Sequence, residues 1–276
     1  MKKIEKPLDS GSTSFNSATK DKRLRGTYPN LLKLGLRASR LARYYDDSRG
    51  DPNIIRSAGL SDREKRAILY IYDNPPASMS YIGDLRLSLA GETCPMCGGQ
   101  NPGELDHYLT KQRYPEYACL SYNLVPACSC NRLRGEKLFD PITQARVLHP
   151  YYDECLGRPL IDLRFDPSAT PPVFKIHYMI GEADPDFGNV KFHVDNIIRK
   201  TNFLTHISKR WGKLKAQPDA ILPKHRDYRD NKNQFHEYLA ELSEGKSVDE
   251  GANAWSTIFL RSISNRIISD WIFDNC

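Results

Sequence analysis

Leu31, Leu34, Ala38, Leu41 and Tyr45 recur three and four positions apart. That spacing draws one apolar stripe along a helix and leaves Arg37, Arg40 and Arg43 on its other side. Ser61 followed by Glu64 is a capping-box pair, and predicts a second helix that runs through Tyr72 until Asn74-Pro75-Pro76 stops it. A shorter helical stretch over 80–90 runs up to Gly91. From 92 the helical periodicity disappears until about Ser129, in a segment dense in Cys, Gly and Pro. Beyond 150 the pattern is mixed. Segments 172–180 (PVFKIHYMI) and 189–194 read as strands, and 195–215 and 230–243 as helices. Segment 253–273 reads as one helix, with Trp255, Phe259, Ile263, Ile267 and Trp271 at four-residue steps as a core-packing stripe. Residues 7–19, polar and rich in Ser and Thr, predict a mobile or partner-docked arm. The pattern divides the chain into a polar arm (1–20), a helical basic region (21–91), a compact core (92–150) and a mixed, mainly helical region (151–276). The fold class expected is α+β.

At 276 residues the chain is long enough to bury a core without staples. It has no apolar run of about 18 residues, which excludes a transmembrane helix, and no apolar stretch behind its first lysines, which argues against a secretory signal. Seven cysteines, an odd number over a long chain, argue against a disulfide scaffold and for a reducing cytoplasm, where grouped cysteines more often bind metal. The net charge of +6 is uneven. Residues 1–90 carry 17 Lys/Arg against 10 Asp/Glu, residues 91–150 carry six of each, and 199–232 carries ten basic residues against three acidic. Two basic regions flanking a neutral middle suit a polyanion laid across a central site; ordinary solvated faces are the alternative.

Within the middle, Cys94-Pro95-Met96-Cys97 is backed by Gly98-Gly99, a common half-site for structural zinc. Tetrahedral zinc needs a second pair, and Cys128-Ser129-Cys130 supplies one, with a single intervening residue where two are usual. Cys119 is therefore kept as a substitute ligand for Cys128. A redox pair lacks the strand-helix-strand surround, and an empty knuckle of buried thiols is the plainer alternative. Bound zinc would close a loop that has little apolar core of its own, so its binding energy would be folding energy.

That loop and its flanks read ELDHYLTKQRYPEYACLSYNLVPACSCNRLRGEK. Asp106-His107, then Asn123-Leu124-Val125-Pro126, then Cys130-Asn131 with Arg134 resemble the three blocks of an HNH, or ββα-metal (His-Me finger), nuclease set between zinc knuckles. Asn131 stands where many members carry a second histidine, so the chain resembles the HNN variant. Further blocks extend the resemblance: Leu105-Asp106-His107-Tyr108-Leu109, Tyr114-Pro115-Glu116 and Leu148-His149-Pro150-Tyr151-Tyr152-Asp153, with the first seven residues and Gly251-Ala252-Asn253-Ala254-Trp255. These are similar to the HNH subunits of antiphage systems that work with an SMC/OLD-like ATPase, as in Septu and some retrons. The resemblance implies a small zinc-stapled ββα nuclease core between mostly helical flanks, an ATPase partner in antiphage defence, and docking through residues 1–20 and the C-terminal helix.

The residue chemistry agrees with that implication. His107 is neutral and basic near pH 7, and can take a proton from water. Asp106 offers a carboxylate oxygen and Asn131 an amide oxygen to one magnesium or manganese ion, which would stabilise the developing charge and the departing 3′ oxygen. The products expected carry 5′-phosphate and 3′-hydroxyl ends. By resemblance Asn123 does no chemistry, and fixes the hairpin that presents His107. A helix beginning near Ser129 would put Asn131 in its first turn and leave Arg132, Arg134 and Lys137, with Lys111, for phosphate. Because adjacent strand residues face opposite sides, Asp106 and His107 can share a site only if the strand ends or bulges there. His149 is expected to pack rather than touch substrate. The substrate expected is DNA. RNA, such as a tRNA, is a rival substrate, a non-catalytic zinc-bearing nucleic-acid adaptor a rival from another class, and a homing or restriction enzyme acting alone a weaker one.

Overall fold

The computed structural model describes all residues 1–276. It is an α+β protein: helices account for about half of it, with two small antiparallel sheets. No helix is long and apolar enough to cross a membrane.

The first helix, α1 (Ser12–Lys20), lies in the segment expected to be a mobile arm. Phe15 and Ala18 are buried, so this stretch is docked on the chain's own α2 (Leu32–Asp47). Gly35 permits the close crossing: a Cβ there would lie 2.0 Å from Thr19 Oγ1. Helix α3 (Asp62–Asp73) begins with the expected capping box, Ser61 and Glu64 each bonding the other's backbone N–H. Helix α4 (Tyr81–Leu87) stops before Gly91. Together α1–α4 enclose a small core that includes Phe15, Leu34, Ile68 and Met79.

Strands β1 (Glu104–His107) and β2 (Leu124–Ala127) pair antiparallel, with Asp106 opposite Val125 and His107 opposite Leu124. Helix α5 (Cys130–Arg134) follows at once. The ββα unit is wedged between two cores. Leu105 and Leu124 enter the small core, whereas Val125 and Ala127 enter a larger one. Adjacent strand residues point to opposite faces, so Leu124 and Val125 join the hairpin to both.

Strands β3 (Ile161–Arg164) and β4 (Lys175–Tyr178) form the second sheet. The expected strand over 172–180 is thus found, and its partner is signalled by the alternation of buried Ile161 and Leu163 with Asp162 and Arg164. Segment 189–194 is not a strand: it lies in helix α6 (Phe187–Asn196), with Val190, His193 and Val194 buried at helical spacing. Helices α7 (Phe203–Ala216) and α8 (Lys232–Glu250) follow. The expected single terminal helix is two, α9 (Trp255–Ile263) and α10 (Arg266–Asn275). Ser264 Oγ bonds back to the carbonyls of Leu260 and Leu239, and the Asn265 side chain accepts from Ile267 N–H, so the chain turns and restarts. The stripe is interrupted as a result. Phe259 and Ile263 are buried, whereas Ile267 is 74% exposed.

Candidate metal centre and catalytic cleft

The four knuckle sulfurs converge. Sγ of Cys94, Cys97, Cys128 and Cys130 all lie within 4.8 Å of one another, a cluster that could hold a metal ion such as zinc. Cys119 is elsewhere, buried in the small core, with its carbonyl accepting from Tyr81 Oη at 2.5 Å. Cys128 therefore takes its place in the quartet despite the short Cys-x-Cys spacing. Backbone N–H groups point at sulfur from Gly99 to Cys97, from Cys128 to Cys94 and from Cys130 to Cys128, each at 3.4 Å, an arrangement that favours thiolates. Gly98, at φ 82°, makes the turn behind the first pair. A Cβ there would meet Asn253 O at 2.3 Å.

The knuckle is tied to remote parts of the chain. Trp255 donates Nε1–H to Cys97 O at 2.7 Å and its backbone N–H to Gly98 O at 2.9 Å. His193 donates Nε2–H to Met96 O at 2.7 Å and accepts Leu148 N–H on Nδ1 at 3.1 Å. Burial lowers the His193 pKa to about 4. In the unfolded chain histidine titrates near 6.5. Between these values the unfolded state binds the extra proton, so the His193 contribution is complete above pH 6.5 and lost as pH falls towards 4. Urea midpoints measured across this window are expected to decline on the acid side in wild type, and to show a shallower slope in His193→Gln.

Past the knuckle, Asp106, His107 and Asn131 line one cleft of about 430 Å³, together with Tyr72, Thr110, Lys111, Gln112, Arg132 and Arg134. The strand problem is solved by termination, because β1 ends at His107. Asn131 sits in the first turn of α5, as expected.

His107 is 7% exposed. Its Nε2 lies 3.0 Å from Ala118 O, and since a carbonyl only accepts, Nε2 carries the hydrogen and Nδ1 keeps a lone pair. Burial lowers its pKa to about 3, which keeps the ring neutral. Burial raises the Asp106 pKa, opposed by the Arg134 charge and a hydrogen bond from Asn131. That bond uses the Asn131 amide N–H, and its Oδ1 is buried with no partner. The orphaned amide oxygen of Asn131 and the carboxylate of Asp106 belong to residues of one cleft, and oxygen donors of this kind are those a hard divalent cation takes.

Asn123 is fully buried and holds the chain after β1. Its Oδ1 accepts from Leu109 N–H at 2.7 Å, and its Nδ2 donates to Leu109 O at 3.0 Å and Tyr117 O at 3.2 Å. Tyr45 Oη also donates to Asn123 Oδ1, and accepts from His149 Nε2, each at 3.0 Å. His149 is wholly buried, the packing role expected of it.

The basic candidates separate. Arg132 is exposed and lines the cleft, with Glu104 at 2.6 Å. Lys111 lines it too, its ammonium 5.0 Å from the Tyr72 ring centroid. Lys137 is exposed and outside the lining. Arg134 corrects the expectation of a free phosphate ligand. Only 3% exposed, it spends its guanidinium on Asp106 Oδ2 at 3.2 Å, His107 O at 3.2 Å and Tyr108 O at 3.1 Å. Its helix neighbours gave no hint of this, because the partners lie on β1 and at the residue that follows it.

Tyr72 was not among the candidates. It reaches in from α3 to meet His107 edge-on, with ring centroids 4.4 Å apart. Only its place at the end of an apolar helix stripe was visible in the sequence, since the partner is remote along the chain.

No protein-family profile matches the chain, and no solved structure matches it. A stretch of 84 residues, 29% of this chain, is 41% identical to protein ea31 of Escherichia phage lambda. The chain spans 27% of the length of that relative.

Proposed function

We propose that this protein is a metal-dependent endonuclease of the HNH kind that hydrolyses phosphodiester bonds in DNA. One observation carries the reading: a neutral imidazole, a carboxylate and an unpartnered amide oxygen line the same cleft, on a β-hairpin followed by a short helix. Hydrolysis of a phosphodiester asks for that set. His107, fixed as its Nε2–H tautomer by Ala118, takes the proton of the attacking water on Nδ1. Asp106 and the Asn131 oxygen would hold one magnesium or manganese ion, which supplies charge stabilisation at the phosphate and the departing oxygen. Arg134 offsets part of the Asp106 charge and braces the carbonyls of His107 and Tyr108. Asn123 pins Leu109 and so sets where β1 ends.

The basic flanks support a polyanionic substrate. The core is too small to read many bases, so specificity belongs to the flanks or a partner. The partner proposed is an SMC/OLD-like ATPase, and the setting antiphage defence in the cytoplasm. The experiment is a metal-dependence assay on labelled plasmid DNA and on total RNA, with the chain alone and with an ATPase of the proposed kind. Cleavage of RNA alone would overturn the DNA assignment, and no cleavage of either under any metal would overturn the enzymatic one.

Asn131→Ala is expected to impair turnover chiefly through ion affinity. Raising magnesium or manganese should then recover part of the rate, and a deficit unchanged at any metal concentration would remove Asn131 from the ion site.

A further inference from the structure

The cleft holds more than the residues assigned to chemistry. At Thr110-Lys111-Gln112 the chain turns, and Thr110 O accepts both Arg113 N–H at 3.1 Å and Tyr114 N–H at 2.8 Å. The intervening N–H groups of Lys111 and Gln112 find no partner in the protein, like those at the start of a helix. Thr110 is 6% exposed, yet its Oγ1 is buried without a hydrogen-bond partner. All three residues line the cleft beside His107. A buried hydroxyl without a protein partner is free to bond a ligand that enters the cleft.

The available groups can all donate: one hydroxyl, two backbone N–H groups and the Lys111 side-chain nitrogen. Lys111 is held over the Tyr72 ring and has only a long contact, 3.5 Å, to Asp73. Donors converging from a turn make an anion site. Negative groups also line the cleft. Asp106 is paired with Arg134, and Glu136 is exposed on the α5 side.

We infer that Thr110, Lys111 and Gln112 form a phosphate-binding turn that grips a phosphodiester of the substrate strand next to the one being cut. The inference rests on the nuclease reading for its ligand, a polynucleotide phosphate. The turn would hold the strand in register with His107 without taking part in bond cleavage. Binding there acts on substrate affinity rather than on the chemical step.

The test has two arms. In the first, the isotope-labelled full chain is titrated with inorganic phosphate and separately with a short single-stranded oligodeoxynucleotide, with and without magnesium, and followed by amide-resolved NMR. The Lys111 and Gln112 amides should shift saturably with both, more tightly with the oligonucleotide, and the response should weaken about tenfold in affinity in Thr110→Val. In the second, steady-state cleavage should show KM raised about tenfold in Thr110→Val and in Lys111→Gln, with kcat little changed. Lys111→Gln keeps the test usable should Thr110→Val fold poorly. No saturable shift at these amides in a chain that cleaves would overturn the turn as a subsite while leaving the nuclease reading intact. A loss confined to kcat would overturn it as well. Saturable shifts in a chain that cleaves nothing would support the turn while the nuclease reading falls.

Discussion

His107→Ala is expected to reduce metal-dependent cleavage by roughly 100-fold to 10,000-fold, the range attributed to a positioned general base. The variant removes the only neutral imidazole in the cleft. No second imidazole lines the cleft, and the buried carboxylate next to His107, that of Asp106, is paired with Arg134. The substitution also has a structural cost. His107 is buried and bonds Ala118 O, so truncation leaves that carbonyl without its partner and a void beside Tyr72. A cost of about 1–3 kcal/mol is expected, a drop of several degrees in melting temperature for a chain of this size. Rates must therefore be compared well below the melting point of the variant, with circular dichroism recorded alongside. A folded His107→Ala chain that cleaves at the wild-type rate would end the assignment of His107 as the base.

The second large effect is expected from the sulfur cluster. Cys97→Ser should abolish tight binding of one zinc per chain and unfold the middle segment at temperatures where the wild type is folded. Apparent binding energies of structural zinc reach about 10–16 kcal/mol, comparable to the whole stability of a domain. The damage should spread. Cys97 O and Gly98 O accept from Trp255 at the head of α9, and Met96 O accepts from His193 on α6. Cys130 opens α5, the helix that carries Asn131. Loss of the ion should thus loosen the cleft and the second sheet's surroundings together. Elemental analysis for zinc and thermal melts with and without chelator are the measurements. A chain that melts unchanged after its zinc is stripped would show that the cysteines pack as thiols.

Much of the local architecture was legible in the residues. The 31–45 stripe, the Ser61–Glu64 box and the paired cysteines each carry their signal within a few positions, where backbone period, capping and ligand count act. The misreadings have physical causes. Phe15 and Ala18 sit in a Ser/Thr-rich stretch, and only the opening left by Gly35 lets that weak helix dock on α2. Segment 189–194 has strand-like composition, but its spacing follows α6, because the apolar surface to be covered lies on one side. The break at Ser264-Asn265 comes from side-chain oxygens competing for backbone groups, which an apolar period of four does not reveal.

The candidate site divides along the same line. Residue type and spacing nominated the cysteine pairs, and the resemblance to the HNH blocks nominated Asp106, His107, Asn123 and Asn131, side chains whose imidazole, carboxylate and amide groups suit that chemistry. Tertiary structure decided what each one faces. It chose Cys128 over Cys119, ended β1 so that Asp106 and His107 open on one cleft, turned Arg134 inward, and brought Tyr72 from α3 against the imidazole. The reason is reach. A residue's chemistry travels with its side chain, but its partners are set by packing between segments that lie dozens of positions apart.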